Sequence, residues 1–154
     1  MENHQGVVIG ADHAGFALKE EMKRWLREWD CRVIEDVGAY ALDPNDGYPE
    51  YAFAVAERVA ADNTRRGVLI CGSGQGVCTA ANKVRGIRAS IVGDAEEARL
   101  SRAHGNTNVL CFAGWNADHA VIREALRVWL ETPFSNEERH VRRLRQITDY
   151  ESRT

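Results

Sequence analysis

Cys71 is the residue whose type and setting speak most directly of chemistry. The stretch Val68-Leu69-Ile70-Cys71-Gly72-Ser73-Gly74-Gln75-Gly76 delivers a strand-like apolar run into a thiol and three alternate glycines. Such glycines let a backbone turn sharply and present its N–H groups to an anion, and Val77-Cys78-Thr79-Ala80-Ala81 reads as the helix behind the turn. A thiol at the amino end of a helix is drawn toward thiolate and can serve as base or nucleophile. The competing role is a small core residue that ends a strand, a common place for cysteine. Cys78 reads as helix-face packing, and Cys31 and Cys111 read as structural strand residues.

Known phosphate turns match this segment poorly. Asp94 ends the next strand-like run, as a ribose-binding acid would, but Val77 stands where G-x-G-x-x-G needs glycine, and the turn follows the third strand instead of the first. A P-loop is excluded for want of G-x-x-x-x-G-K-[ST], and Ser73 lacks the G-x-S-x-G frame of a hydrolase nucleophile. Phosphorylated or enolate-like ligands remain.

Asp12-His13-Ala14-Gly15 follows the first strand-like run and brings a charged pair to the same sheet edge as Cys71; helix capping is the structural role open to Asp12. His104 lies in Ser101-Arg102-Ala103-His104-Gly105-Asn106-Thr107-Asn108, read as a polar helix-to-strand connection. It is either simply solvated or a proton shuttle at neutral pH. Arg139 and Arg143 are i,i+4 neighbours on a basic helical segment and can grip one phosphate together. A solvated basic face paired with Glu137 and Glu138 is the other possibility. Nucleic acid is a poorer partner, because no aromatic-interleaved basic surface accompanies these arginines.

Positioning these groups requires alternating strands and helices. Gly6–Ala11, Cys31–Val37, Gly67–Cys71, Ile87–Val92 and Asn108–Phe112 read as strands, the first, third and fifth as near-continuous apolar runs. Phe16–Trp29, Tyr51–Ala61, Ala95–Ala103 and Ala120–Leu130 carry helical spacing, and a further helix is expected over about 136–151. This order predicts a parallel sheet covered on both faces, with ligands beyond the carboxyl ends of the strands. There Asp12-His13, Cys71-Gly72-Ser73 and Gly114 emerge, and the functional residues are expected to converge.

The chain has 154 residues, 44% of them hydrophobic and 28% charged, which suits one compact domain over 1–154. A net charge of -3 gives no general drive toward nucleic acid, and no apolar run approaches a membrane span. Met1-Glu2-Asn3-His4-Gln5 is polar and shows no secretory or transit pattern, so the cytoplasm is the expected compartment. The four cysteines lack C-x-x-C spacing, which argues against zinc and against a secreted disulfide framework.

Taken together, these segments resemble the type B ribose-5-phosphate isomerase family, which includes galactose-6-phosphate and allose-6-phosphate isomerases. The marks are Gly10-Ala11-Asp12-His13-Ala14-Gly15, Tyr48-Pro49, Ile70 to Gly76, Ala80-Ala81-Asn82-Lys83, Gly86-Ile87-Arg88-Ala89, Ser101-Arg102-Ala103-His104 and Arg139-His140-Val141-Arg142-Arg143. The resemblance implies a three-layer Rossmann-like α/β/α sandwich with a five-stranded parallel sheet. It also implies a homodimer or dimer of dimers with shared active sites, and aldose–ketose isomerisation in the pentose phosphate pathway without metal or cofactor.

By that resemblance Cys71 matches the base that moves a proton between C2 and C1, Ser73 a hydroxyl assisting near the sugar oxygens, and His104 the histidine that opens the sugar ring. Asp12 matches a contact to sugar hydroxyls, and His13, Arg139 and Arg143 match phosphate contacts. Gly72, Gly74, Gln75 and Gly76 form the substrate-facing turn whose N–H groups would stabilise the enediolate. Two departures stand out. Gly105 occupies the place after the histidine where relatives usually carry asparagine, and Asp46-Gly47-Tyr48-Pro49 replaces Asp-Tyr-Pro, which implies a displaced Tyr48 loop. Ribose 5-phosphate is the simplest substrate; an allose, galactose or tetrose phosphate, or silent binding of a sugar phosphate, are the alternatives.

Overall fold

A computed structural model describes residues 6–31 and 34–154. The polar start at 1–5, and Arg32 and Val33 of the second strand-like run, lie outside the described residues. Among the described residues five strands alternate with helices: β1 (Gly6–Ala11), α1 (Phe16–Glu28), β2 (Ile34–Asp36), α2 (Tyr48–Ala61), β3 (Arg65–Cys71), α3 (Gln75–Ala81), β4 (Ala89–Ile91), α4 (Ala95–Gly105), β5 (Val109–Ala113), α5 (His119–Glu131) and α6 (Glu138–Glu151). None of these helices is long and apolar enough to cross a membrane.

All strands are parallel, in the order β2-β1-β3-β5-β4. Strand side chains alternate between faces, and the two faces are covered by different helices. Val7, Ile9, Val68, Ile70, Leu110 and Phe112 pack beneath α1, α4 and α5, where Met22, Leu26, Leu126 and Trp129 are fully buried. Val8, Leu69, Cys71, Val109 and Cys111 pack beneath α2 and α3 through Val55, Ala56, Val77 and Ala81. This is the expected three-layer α/β/α sandwich.

The element bounds shift where local chemistry overrides apolar periodicity. α2 begins at Tyr48, three residues before the expected start, because Pro49 fits the first turn of a helix whose N–H groups are unpaired anyway. α4 runs on to Gly105 and is closed by Asn106 in the left-handed region at φ 45, so His104 belongs to its last turn and not to a loop. β2 is only Ile34–Asp36, a half-buried edge strand. Its Asp36 takes the ammonium of fully buried Lys19 at 2.8 Å and that of Lys23 at 2.6 Å. Lys19 also donates to the carbonyl of Ala39.

β1 and β3 are neighbours, yet the helices that follow them, α1 and α3, lie on opposite faces. Their loops part at the carboxyl ends of the two strands and leave a crevice there.

Candidate active site

The crevice is a cleft of about 230 Å³ lined by Asp12, His13, Ala14, Tyr48, Cys71, Gly72, Ser73, Gly76 and Trp115. Cys71 is the last residue of β3 and only 4% exposed, so the thiol forms the floor. The Cys71 carbonyl accepts from Gly114 N–H at 2.8 Å and the Gly72 carbonyl from Trp115 N–H at 3.0 Å, which carries the β3–β5 ladder past the strand ends. The thiol therefore sits on a backbone clamped from one side.

Of the three glycines only Gly74 is needed for its conformation. It has φ +76, and a Cβ there would also meet the backbone of Phe112 at 2.8 Å. Gly72 and Gly76 instead make room for aromatic rings. A Cβ on Gly72 would come within 2.4 Å of the Trp115 indole, and one on Gly76 within 2.6 Å of the Tyr48 ring. Tyr48 thus stands on the cleft wall despite the extra Gly47. Ser73 and Gln75 are exposed, and Ser73 Oγ accepts the Gln75 N–H at 3.3 Å.

Asp12 is buried, and its Oδ1 accepts from the N–H groups of Ala14 at 3.0 Å and Gly15 at 3.2 Å. It therefore does close the turn into α1. Burial raises its pKa above the ordinary carboxyl value, opposed by the Gly15 hydrogen bond and the charge of His13. His13 is oriented by Asp46, a residue that sequence reasoning did not single out. One oxygen of Asp46 meets His13 Nδ1 at 2.7 Å and the His13 N–H at 3.0 Å, while the other accepts from Tyr51 OH at 3.2 Å. This bond to Asp46 raises the His13 pKa against the effect of burial, with the charge of Asp12 assisting. Burial pushes Asp46 upward, but the hydrogen bonds from His13 and Tyr51 outweigh it and hold the carboxyl below its ordinary value. Asp12, His13 and Asp46 bring potential ligand atoms within 4.8 Å of one another; the His13–Asp46 pair is already satisfied internally.

His104, Arg139 and Arg143 do not join this group within the chain. α4 follows the carboxyl end of β4 and returns to the amino end of β5, so its last turn lies at the opposite edge of the sheet from Cys71. Gly67 pairs with Val109 at that edge and Cys71 with Ala113 at the cleft edge. Four residues of strand rise, on the order of 13 Å, separate these two levels. α6 also lies at the amino edge, held by the Gly86 N–H to Glu151 at 3.1 Å and by the His140 ring, 4.2 Å from the His104 ring. Convergence at one edge, expected from the strand order, thus holds for Asp12, His13, Cys71 and Ser73 and fails for the other three. A helix antiparallel to its strand must end at the far side.

At that amino edge His104 is exposed, whereas His140 is buried with Nδ1 2.8 Å from Ser135 Oγ. Arg139 and Arg143 are exposed, and Arg139 pairs with Glu137 at 2.9 Å. Asn106, next after Gly105, is engaged within the chain. Its carbonyl accepts from Arg88 Nη2 at 2.8 Å and its Oδ1 from Arg102 Nη1 at 3.0 Å.

Cys78 Sγ donates to the Ala89 carbonyl at 3.5 Å and accepts from Asn82 Nδ2 at 3.7 Å, and it interacts with the Cys111 thiol. That interaction draws the Cys78 thiol down to about 7 against the effect of burial, with a backbone contact from Ile91 assisting. Burial, and the same contact, push Cys111 far upward. Trp115, like Asp46, was not singled out from the sequence, although an aromatic just past an apolar strand at the ligand-binding edge is a usable signal.

Comparison with known proteins places this geometry in context. A family model described as Ribose/Galactose Isomerase matches residues 7–147. Ribose-5-phosphate isomerase B of Escherichia coli is 39% identical over 147 residues, covering 96% of this chain and 97% of that protein. D-erythrulose-4-phosphate isomerase 2 of Mycolicibacterium smegmatis is also 39% identical over 147 residues, covering 94% and 96%. The crystal structure of ribose-5-phosphate isomerase B from Mycoplasma genitalium with bound ribulose-5-phosphate superposes with a TM-score of 0.92 at 37% identity, covering 97% of each chain.

Proposed function

The chain belongs to the ribose/galactose isomerase family and is a sugar-phosphate isomerase, and from that premise we propose that it interconverts ribose 5-phosphate and ribulose 5-phosphate with Cys71 as the base. The observation that carries the mechanism is the single cleft in which a thiol, a carboxylate, an imidazole and a hydroxyl surround one sugar-sized space.

In this reaction the Cys71 thiolate takes the proton from C2 of the open-chain aldose, the C2–H electron pair becomes the C1–C2 double bond, and the C1=O π pair moves onto O1 to give a cis-enediolate. The thiol then returns the proton to C1 as O2 becomes the ketone. Ser73 relays the proton between O1 and O2, and N–H groups of the Gly72 to Gly76 turn other than that of Gln75, which Ser73 Oγ accepts, would stabilise the developing oxyanion. Asp12 receives sugar hydroxyls through Oδ2, the oxygen not bonded to the Ala14 and Gly15 N–H groups. His13, protonated and held by Asp46, offers Nε2–H to the phosphate.

Ring opening by His104 and phosphate binding by Arg139 and Arg143 require a second copy of the chain, because these residues lie at the far edge of the sheet. A homodimer in which the amino edge of one protomer faces the cleft of its partner supplies them. The equal identity to an erythrulose-phosphate isomerase supports a second reading, a four-carbon phosphate as the preferred sugar. A coupled assay with erythrose, ribose and allose phosphates separates the two. The ribose reading predicts the highest kcat/KM for ribose 5-phosphate; a higher value for the tetrose overturns it, and turnover of none refutes both.

A further inference from the structure

Trp115 is 66% exposed, unusual for so large an apolar side chain, yet it is firmly seated. Its N–H is bonded to the Gly72 carbonyl at 3.0 Å, and its indole covers Gly72 so closely that a Cβ there would lie 2.4 Å from Cε2 and 2.5 Å from Cζ2. The glycine is the socket for the ring. Trp115 lines the cleft over Cys71, of about 230 Å³. It also lines a second hollow of about 220 Å³, together with Val92, Phe112, Val121 and Ile122. Trp115 is the wall common to both spaces.

We propose that Trp115 is a specificity-determining residue, the partition that fixes how many sugar carbons the cleft accepts. This rests on the sugar-phosphate isomerase reading of the same cleft. Three features carry it. Trp115 is common to the linings of both hollows, and its indole is the bulk that lies over Gly72. It is held by the Gly72 carbonyl next to Cys71, so its position relative to the reacting carbons is fixed. Its exposed face is an apolar plate of the kind against which the C–H faces of a sugar pack, while Asp12 and His13 supply polar contacts elsewhere in the cleft. A longer sugar phosphate must push into the indole; with the indole removed, the second hollow becomes part of the cleft. A wall that discriminates by one carbon shifts kcat/KM roughly tenfold or more.

The test compares wild type, Trp115→Phe and Trp115→Ala on ribose 5-phosphate and allose 6-phosphate. The expected result is a rise of at least tenfold in the ratio of kcat/KM for the six-carbon over the five-carbon substrate in Trp115→Ala. Trp115→Phe, which keeps a ring over Gly72, should give an intermediate value. A ratio within twofold of wild type in both variants overturns the proposal. Trp115→Phe also serves if the alanine variant misfolds, since a ratio unchanged in the phenylalanine variant alone then counts against the partition.

Failure of the ribose reading is distinguishable from failure of the partition. If wild type turns over neither sugar, the ribose reading of the cleft falls and the partition is judged by binding. The fluorescence difference between wild type and Trp115→Phe isolates Trp115 from Trp25, Trp29 and Trp129. A change in that difference on adding ribose 5-phosphate, with calorimetric preference moving toward allose 6-phosphate in the smaller-side-chain variants, supports the wall. An unmoved signal or an unmoved preference overturns it.

Discussion

One carboxylate oxygen of Asp46 holds both the ring and the backbone of His13, at 2.7 Å from Nδ1 and 3.0 Å from the amide nitrogen. The pair spans 33 positions in sequence and ties the β2–α2 loop to the loop after β1. It also fixes which imidazole nitrogen is left for a ligand.

This pairing predicts a pH dependence. The hydrogen bond His13 donates to Asp46 raises the His13 pKa above the ordinary histidine value, so the stability it confers is fully present below that value and fades as pH rises through the folded-state pKa. Under the proposed phosphate role of His13, affinity should follow the same sign, because a cationic ring is the better partner for an anion. NMR titration of the His13 ring should show the elevated midpoint, and Asp46→Asn should return it to the ordinary range while flattening the rise of KM above neutral pH. A midpoint unaffected by Asp46→Asn removes the coupling.

Cys71→Ala should lower kcat by roughly 10²–10⁴-fold, the usual contribution of a positioned base, while sugar-phosphate binding persists. Cys78→Ala should remain active. Near-wild-type turnover in the Cys71 variant eliminates the proposed base.

The second thiol makes its own prediction. With a pKa near 7, half-exposed Cys78 should react with iodoacetamide at a rate that climbs through neutral pH, and Cys111→Ala should move that midpoint upward by removing the interaction between the two thiols. Peptide mapping across pH distinguishes this labelling from that of Cys71, whose modification alone should be blocked by substrate. Identical Cys78 profiles with and without Cys111 would contradict the assignment.

Shared sites can be tested by mixing inactive chains. Cys71→Ala combined with His104→Ala, or with Arg143→Ala, after dissociation and reassembly, should recover roughly a quarter of wild-type activity, since half the dimers are mixed and each holds one intact site of two. No recovery despite verified exchange would place these residues in one chain's site.

Asp36→Ala should destabilise the fold by about 3–5 kcal/mol, because it removes the near carboxylate of fully buried Lys19 and leaves the Ala39 carbonyl and a longer 3.5 Å pairing with half-exposed Glu20. Burial opposes but does not cancel the hydrogen bonds of Lys19, Lys23 and the Gly38 N–H, which hold Asp36 below its ordinary pKa. The stability from this group is therefore present above the unfolded carboxyl value and is lost as pH falls through the folded one. Chemical denaturation of the variant at neutral pH, and of wild type under acid, measures both.

The legible parts of this molecule are those in which burial repeats along the chain. Gly6–Ala11 is buried at every position and reads as one apolar run, and Leu18, Met22, Trp25 and Leu26 mark α1 by their spacing. The cleft loops were legible for the same reason, since strands ending in Asp12 and Cys71 must release those residues at one edge. Asp46 was not legible, because its role arises from a contact between distant loops that no local period encodes. The far-edge placement of His104 follows from its position just before β5, whereas its membership of the last turn of α4 is decided by the αL conformation of Asn106, which apolar spacing does not encode. Trp115 was hidden by its exposure, which hydrophobic pattern treats as incidental.

β3 is the middle strand, paired with β1 on one side and β5 on the other, and its Val68–Ile70 segment has no exposed surface. Amides in such a strand exchange with deuterium only when the whole domain opens, whereas α6, tethered to the rest at a few points, can open alone. The two halves of the proposed site therefore live on different clocks. The thiol is as immobile as the fold itself, and the arginine-bearing arm can be exchanged, opened or remodelled without disturbing it.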